Sequence, residues 1–393
     1  LNEAVWNELA RGISYVQGDH NEAETFVKLK AELDRLDAER GTAKNRVFYL
    51  SVGPDEVTKI VKGLRENGLV APPSDEKDAP YQHVIVEKPF GHDLASARAV
   101  NRELLAHLAE SQIYRIDHYL GKETVQNLIV LRFGNAIFEA LWNRSHISHV
   151  EITVAEDIGV EGRGKFYEQV GITRDIVQNH LLQLLTITAM EPPASLDADA
   201  VRDEKVKVLR SLRPIRGAEV LSSVVRGQYA RGIVRGDTVP GYREEPDVDG
   251  ASVTDTYVAM RLHIDNWRWT GVPFYLRTGK RMPSRQSEIM IQFKPVAHSI
   301  FSGHGKASGL EPNTLIIRLQ PEENIRLLIM AKQPGLDRDG VKLQEVGLDV
   351  SLAHAFAGER RRIAYERLLL DLLVGDPTLF VRRDEVEAQW QWI

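Results

Sequence analysis

The chain has 393 residues, of which 43% are hydrophobic and 27% are charged, as in a soluble globular protein. This length exceeds what one hydrophobic core usually supports, so two domains are expected. The 50 Lys and Arg residues against 56 Asp and Glu residues give a net charge of −6, which argues against a general binder of nucleic acid or anionic membranes.

The absence of cysteine excludes disulfide bonds, thiolate metal sites and cysteine nucleophiles, and it fits a reducing compartment. No apolar run has the length of a membrane span, and no signal-like start is visible. We therefore expect a cytoplasmic protein without a membrane or nucleic-acid partner. The chain begins at Leu1 without an initiating Met, so we expect a fragment of a longer protein.

The first part of the chain alternates predicted helices and strands, as an α/β domain does. Two amphipathic helices are predicted over residues 5–14 and 21–40. A continuous apolar run at 46–54 ends in Gly-Pro, which is typical of a strand buried on both faces of a parallel sheet. Helices and strands continue to alternate over residues 57–68, 84–91, 94–110 and 113–116. This pattern predicts part of a doubly wound, Rossmann-type sheet, so residues 1–117 are assigned to the remainder of a dinucleotide-binding domain.

Three loops are expected to meet at one edge of this sheet, because ligands of doubly wound sheets bind outside the carboxyl ends of the strands. The polar residues that follow the predicted strands are Gly53-Pro54, Glu87-Lys88-Pro89 and Asp117-His118. Proline after Lys88 disfavours helical backbone there and can present the lysine toward the edge; a strand-ending turn with an exposed lysine is the other interpretation. No Gly-x-Gly-x-x-Gly turn follows any strand, so the half that holds a pyrophosphate is expected outside this sequence.

Residues 115–123 concentrate reactive side chains between two helical patterns. Asp117 and His118 are adjacent, so in an extended segment they point to opposite faces and can serve different ligands or steps. Tyr119 and Lys122 add a phenol and an ammonium group. A solvated polar loop with a helix cap is the other interpretation.

Residues 118–393 are predicted to form an α+β domain. Helices are expected over 124–142 and 167–190, with a strand at 150–154 between them. Later segments alternate apolar and polar residues, at 258–264, 289–293, 315–319 and 325–329. Alternation indicates one buried face, as in a large, mainly antiparallel sheet that carries helices on one face. The other face is a candidate for subunit contact.

The second long helix carries Asp175 and His180. Ile176, His180 and Leu184 are four residues apart, so His180 lies on the apolar stripe. A partly buried imidazole beside a carboxylate suits a general base near neutral pH, although a hydrogen-bonded core histidine is the other interpretation. Asp175 splays from His180 by more than a right angle on an α-helix, so the orienting carboxylate is expected to come from elsewhere.

Other catalytic and metal-binding patterns are rejected. Gly279-Lys280 ends a predicted strand, but the glycine spacing and the following Ser or Thr of a Walker motif are missing. His146 and His149 have no convergent carboxylate, so no metal site is expected. The lack of a Gly-x-Ser-x-Gly elbow weighs against a serine hydrolase.

Seven short motifs follow one another along the chain: EKPFG at 87–91, DHYLGKE at 117–123, RDIVQNHLLQ at 174–183, AMEPPAS at 189–195, VRDEKVKVL at 201–209, GVPFYLRTGK at 271–280 and KQPGL at 332–336. By these motifs and their order, the chain resembles the glucose-6-phosphate dehydrogenase family over nearly its whole length. The resemblance implies that the family's coenzyme turn precedes Leu1 and that a final segment follows Ile393.

The resemblance implies oxidation of β-D-glucose 6-phosphate at C1 to 6-phosphoglucono-1,5-lactone, with hydride transfer to NADP, the first step of the oxidative pentose phosphate pathway. NAD is the alternative coenzyme, and Lys88 and Pro89 are the implied coenzyme-binding residues. His180 is implied as the general base and Asp117 as the carboxylate that orients it. No metal is implied.

The family's substrate-binding positions correspond to His118, Tyr119, Lys122, Glu156, Asp175, Lys280, Arg285 and Gln320. Among them, the resemblance implies that His118, Tyr119 and Lys122 bind the phosphate. It also implies a homodimer or a dimer of dimers formed through the large sheet. Two other functions stay open at this point: a related sugar oxidoreductase with a different substrate, and a non-catalytic sugar-phosphate-binding paralogue.

Overall fold

The computed structural model describes residues 2–74, 79–234, 236–301, 310–335 and 341–393. The chain divides into two compact units: Leu1–Ile116 with Leu370–Val386, and Asp117–Leu369 with Glu387–Ile393. The domain boundary predicted from the sequence, after residue 117, stays a prediction. None of the helices in the described ranges combines the length and hydropathy that a membrane crossing requires.

The first unit is built on a parallel sheet. Its strands pair in the order β1-β2-β3 and are β1 (Arg46–Leu50), β2 (Gln82–Val86) and β3 (Ile113–Arg115). The helices that precede and connect them are α1 (Glu3–Ala10), α2 (Ala23–Arg40), α3 (Pro54–Glu66) and α4 (Leu94–His107). Val84, Ile85 and Val86 are all buried, because both faces of β2 are covered. The predicted Rossmann-type arrangement is confirmed.

The second unit contains a large mixed sheet. The strands after β3 are β4 (Ile147–Ala155), β5 (Val224–Gly227), β6 (Gly232–Val234), β7 (Asp237–Val239), β8 (Tyr257–His263), β9 (Pro273–Gly279), β10 (Gln286–Phe293), β11 (Thr314–Gln320), β12 (Asn324–Lys332) and β13 (Leu343–Ser351). In the described ranges, eight of them pair in the order β13-β12-β11-β10-β4-β9-β8-β5, while β6 and β7 form a separate hairpin. The predicted, mainly antiparallel sheet is confirmed. The β4–β9 pair is parallel, which the long connection between these strands permits.

The helices after residue 117 are α5 (Glu123–Phe133), α6 (Ala136–Glu139), α7 (Gly164–Ile172), a π-helix (Thr173–Leu181), α8 (Leu182–Ala189), α9 (Ala198–Arg210), α10 (Glu219–Ser223), α11 (Leu352–Ala355), α12 (Ala364–Leu373) and α13 (Arg383–Trp392). The helix predicted over 124–142 is divided between α5 and α6. The π-helix packs against β4 and β9, and its apolar residues Ile176, Val177 and Leu181 are buried.

The helix predicted over 167–190 is not one regular α-helix. Gly171, at φ 65° and ψ 171°, interrupts it, because only glycine adopts this backbone conformation without strain. A π-helix follows, and its i→i+5 hydrogen bonds bring residues five positions apart close to one side. The expectation that Asp175 and His180 splay apart assumed an α-helix, which this segment does not form. The carboxylate that bonds His180 does come from elsewhere in the chain, as expected, because it belongs to Asp117.

Candidate active site

A buried carboxylate–imidazole pair forms the centre of the site. Nδ1 of His180, on the π-helix, lies 2.5 Å from Oδ1 of Asp117, which follows β3 in the chain. His180 is 1% exposed and Asp117 is 2% exposed. The backbone N–H of Tyr119 donates to the same carboxylate oxygen at 3.0 Å. Because water is excluded, this short hydrogen bond holds the imidazole in one orientation.

Two aromatic rings enclose the imidazole of His180. The ring of Tyr119 stacks on it with centres 4.3 Å apart, and the ring of His118 meets it edge-on at 4.6 Å. Both neighbours come from the segment that also supplies Asp117. The backbone N–H of His180 donates to the side-chain oxygen of Asn179 at 2.6 Å. Ring packing and hydrogen bonding therefore restrict the histidine together.

The donor atoms of Asp117, His118 and His180 all lie within 4.8 Å of one another, which is close enough to hold a metal ion. Two imidazoles and a carboxylate form a donor set that suits zinc. The expectation of no metal site rested on the spacing of His146 and His149. The cluster of Asp117, His118 and His180 is not visible from such spacing, because Asp117 and His180 are 63 positions apart. Because Oδ1 of Asp117 is already bonded to His180, we interpret the cluster as an acid–base pair.

Lys122 lies beside Tyr119 in a cationic part of the site. Its Nζ is 3.2 Å from the centre of the Tyr119 ring. Burial, and next the positive charge of Arg285, lower the pKa of Lys122 to about 7, although Asp117 and Glu156 act in the opposite direction. Burial also raises the pKa of Tyr119 to about 12, so its hydroxyl stays protonated at neutral pH. A bound dianion would offset the repulsion between the two cations.

Ser287 is a polar residue of the site that the sequence did not indicate. Its Oγ lies 3.4 Å from the hydroxyl of Tyr119 and donates to Oε1 of Gln320 at 3.3 Å. Ser287 of β10 stands opposite Gln320 of β11 in the strand register. Its position two residues after Arg285 is a weak sequence signal, and strand register is not visible without the sheet.

A second ionic cluster lies where β4 and β9 end side by side. Nζ of Lys280 donates to Glu156 at 2.7 Å and lies 3.5 Å from Asp175 of the π-helix. Lys280 is 3% exposed, and its ammonium group also lies 5.2 Å from the centre of the Tyr167 ring. The parallel pairing of Ala155 with Gly279 sets the following residues, Glu156 and Lys280, next to each other. Two carboxylates and a lysine provide donors and acceptors for hydroxyl groups.

The second unit thus contains most of the predicted site residues, namely Asp117, His118, Tyr119, Lys122, Glu156, Asp175, His180, Lys280, Arg285 and Gln320. The predicted coenzyme residues lie in the first unit, where half-buried Lys88 and Pro89 follow β2 and are joined by a cis peptide bond. A cation at the carboxyl end of a parallel strand fits a nucleotide phosphate. Next to it, the hydroxyl of Tyr49 donates to Glu87 at 2.6 Å.

Two family models match nearly the whole chain. Residues 1–127 match "Glucose-6-phosphate dehydrogenase, NAD binding domain". Residues 129–393 match "Glucose-6-phosphate dehydrogenase, C-terminal domain".

Curated proteins give the same result. Glucose-6-phosphate 1-dehydrogenase of Rhizobium meliloti is 50% identical over 393 residues, which are 100% of this chain and 76% of that protein. Glucose-6-phosphate 1-dehydrogenase of Zymomonas mobilis is 55% identical over 350 residues, which are 89% of this chain and 70% of that protein.

Solved structures agree in fold as well. A glucose-6-phosphate dehydrogenase in complex with its substrate glucose-6-phosphate has a TM-score of 0.86 and 38% identity, over 98% of this chain and 75% of that one. Glucose-6-phosphate 1-dehydrogenase from Mycobacterium avium has a TM-score of 0.81 and 39% identity, over 100% of this chain and 77% of that one.

Proposed function

The chain belongs to the glucose-6-phosphate dehydrogenase family, and we propose that His180 is the general base of its reaction and that Asp117 orients this base. The activity is that of a glucose-6-phosphate 1-dehydrogenase, an oxidoreductase of the pentose phosphate pathway. The observation that carries the proposed roles is the buried 2.5 Å hydrogen bond between the two side chains.

The geometry supports proton removal by one particular nitrogen of His180. Since Nδ1 is hydrogen-bonded to Asp117, Nε2 is the atom that receives the proton of the C1 hydroxyl group. The carboxylate stabilises the imidazolium that forms, as in other acid–histidine pairs. The coenzyme, when bound, accepts the hydride from C1. A positioned general base of this kind contributes about 10²–10⁴-fold to the rate.

The cationic part of the site is proposed to bind the substrate phosphate. His118, Tyr119 and Lys122 supply donors from one segment, and Arg285 adds a charge from the loop between β9 and β10. Charge-assisted hydrogen bonds of this type each contribute about 1.5–3 kcal/mol. Without a ligand, burial and the charge of Arg285 disfavour the protonated form of Lys122. A bound dianion favours that protonated form, so the site is proposed to select dianions.

The second ionic cluster is proposed to bind the sugar hydroxyl groups. Glu156 and Asp175 accept hydrogen bonds, while Lys280, held between them, donates. Gln320 is proposed to border the sugar from the side of Ser287, its hydrogen-bond partner, which also lies near the hydroxyl of Tyr119. The substrate would then be held at its phosphate by the cationic part of the site and at its ring hydroxyls by the second ionic cluster, which orients C1 toward His180.

The coenzyme is proposed to be NADP, with NAD as the alternative, and to contact Lys88 and Pro89. The match to an NAD binding domain supports nicotinamide coenzymes as a class. Comparison of kcat/KM for NADP and for NAD tests the preference: a higher value for NADP supports the proposal, and a higher value for NAD contradicts it.

The protein is further proposed to act in the cytoplasm as a homodimer or a dimer of dimers. The lack of cysteine in the sequence supports a reducing compartment. The large sheet supports association, because its edge strand β13 carries the half-exposed apolar residues Leu348 and Val350.

Substitution of the base tests the proposed function. His180→Asn in the full-length protein should lower kcat by about 10²-fold or more, because the change removes the proposed general base. Affinity for glucose 6-phosphate, measured by calorimetry, should stay within about two-fold, since the phosphate contacts remain. His149→Asn is a matched control on β4, where His149 contacts Glu151 and Tyr275, and it should leave kcat unchanged. Strong residual turnover of His180→Asn contradicts the assigned role.

A further inference from the structure

The helix that continues from the catalytic π-helix ends in an unusual set of side-chain contacts. The guanidinium group of Arg132 donates to the carbonyl oxygens of Ile187 and Met190, both at 2.8 Å. The indole N–H of Trp142 donates to Thr188 O at 2.7 Å. The indole N–H of Trp269 donates to Ala189 O at 2.8 Å. Four consecutive carbonyls, from 187 to 190, thus each accept a hydrogen bond from a side chain.

We call Arg132, Trp142 and Trp269 the C-terminal clamp. All three side chains are 0% exposed. They come from three places in the chain, since Arg132 lies on α5, Trp142 follows α6 and Trp269 precedes β9. The last carbonyls of a helix have no partner within the helix, so buried donors are needed to satisfy them. Burial lowers the pKa of Arg132 only to about 10, so it remains a cation at the negative end of the helix dipole at neutral pH.

The clamp acts on the same continuous helical segment that carries the proposed base. α8 begins at Leu182, directly after the π-helix that contains His180. At the other end, Thr173 donates to the carboxylate of Asp255 at 2.9 Å, and the backbone N–H of Ile172 donates to Asp255 O at 2.9 Å. The segment is therefore fastened at both ends, with the π-helix between the two attachments.

A π-helix is rare because it competes with the α-helical hydrogen-bonding pattern. Relaxation of the segment toward an α-helix would rotate His180 and shift it along the axis. Attachment at both ends opposes that change, because neither end can turn or slide without breaking hydrogen bonds that are buried at residues 187–190 and partly buried at Thr173.

From these contacts we infer that Arg132, Trp142 and Trp269 are positioning residues for the reaction: they hold the π-helix in register so that His180 meets Asp117. The inference rests on the proposed role of His180 as the base. The hydrogen bonds of the clamp go to the carbonyls of residues 187–190, in the segment that carries the proposed base, whereas the residues proposed to bind phosphate come from 118–122 and from position 285. Loss of the clamp should therefore affect kcat more than KM.

Two conservative substitutions test the inference in the full-length protein. Trp142→Phe and Trp269→Phe each remove one N–H donor and keep an aromatic ring in place. Each should lower kcat by about 10-fold or more, since a displacement of about 1 Å can cost 10²-fold, while KM for glucose 6-phosphate changes by less than about two-fold. Trp267→Phe is the matched control: Trp267 is 96% exposed, so its kcat and KM should equal those of the unaltered protein.

The folded fraction of each variant, measured by circular dichroism at the assay temperature, separates positioning from stability. A fall in kcat at full folded content and nearly constant KM supports the inference. An unchanged kcat in both clamp variants, or a loss of activity that matches the loss of folded protein, overturns it and leaves the role of His180 intact. Strong residual turnover of His180→Asn instead overturns the proposed base, and this inference with it.

Discussion

Lys122 illustrates how a single residue of this site is adjusted to its ligand. It is largely buried, and the nearby Arg285 adds repulsion, so its pKa falls to about 7. A lysine in this condition is only partly charged at neutral pH. The second pKa of a phosphate group is about 6, so above neutral pH the substrate carries a dianion that favours the charged lysine.

Binding should therefore become weaker as the pH rises above the pKa of Lys122. In the free protein the lysine loses its proton above pH 7, and the dianion must then draw a proton back. We expect KM for glucose 6-phosphate to increase steadily from pH 7 to about pH 9. Initial-rate measurements across this range at constant ionic strength provide the test.

The control for this prediction is Lys122→Arg, because arginine stays charged throughout the range. KM of this variant should vary much less with pH than KM of the unaltered protein. A steep, unaltered profile in Lys122→Arg would assign the pH dependence to another group.

At the residue scale, the sequence predicts which side chains form the site better than it predicts which of them contact one another. Asp117, His118, Tyr119 and Lys122 stand together in one short motif and are visible as a group. The bond between Asp117 and His180 joins positions 63 apart, and nothing in the local pattern specifies that distance. Ser287 was not predicted as a site residue, because its position opposite Gln320 follows from the strand register.

At the scale of the element, Gly171 determines how the catalytic helix begins. Its φ of 65° and ψ of 171° interrupt the helical backbone inside α7, two residues before the π-helix starts at Thr173. A Cβ atom at this position would approach Asp255 at 3.5 Å, an ordinary contact distance. The cost of a side chain there is therefore conformational rather than steric.

Replacement of this glycine should weaken the element. Gly171→Ala should lower the free energy of unfolding by about 1–3 kcal/mol, the cost of a non-glycine residue in such a backbone region. Gly53→Ala is the matched control, because Gly53 has φ −61° and no atom within 4 Å of an added Cβ. Urea denaturation of both variants gives the comparison. Equal stabilities of Gly171→Ala and Gly53→Ala would show that the break does not need glycine.

The period of apolar residues predicted that a long helix exists but not how it is wound. Ile176, His180 and Leu184 fit an α-helical stripe, and that stripe does face the core. We propose that contacts at the two ends of the segment, such as those of Asp255 and Trp269, maintain the π-helical bonding. Such tertiary contacts override local periodicity and are not visible in it.

At the scale of the whole molecule, alternation in the sequence predicted most strands of the large sheet but not their order. β4 lies between β9 and β10, with one parallel and one antiparallel neighbour. Each strand presents the same alternating pattern, so pairing depends on the connections between strands. The edge strand β13 was not predicted, although Val346, Leu348 and Val350 alternate with Gly347 and Asp349.

The proposed dimer provides a prediction at this scale. Leu348 and Val350 of β13 are 53% and 51% exposed, and Leu348→Glu with Val350→Glu would place charges on this edge. Light scattering after gel filtration should show a shift from dimer to monomer, because buried charges without partners oppose association. Val5→Glu, on the exposed face of α1, is the control. A dimer that persists in the double variant would exclude β13 from the interface.

The buried Asp117–His180 pair is the central claim, and a double-mutant cycle on kcat tests it most directly. The full-length variants are Asp117→Asn, His180→Asn and the combination of both. Residues that act as one unit have strongly non-additive effects, so the combined variant should be no slower than His180→Asn alone, within about three-fold. If the two effects multiply instead, Asp117 and His180 act independently, and the account of an oriented base is contradicted.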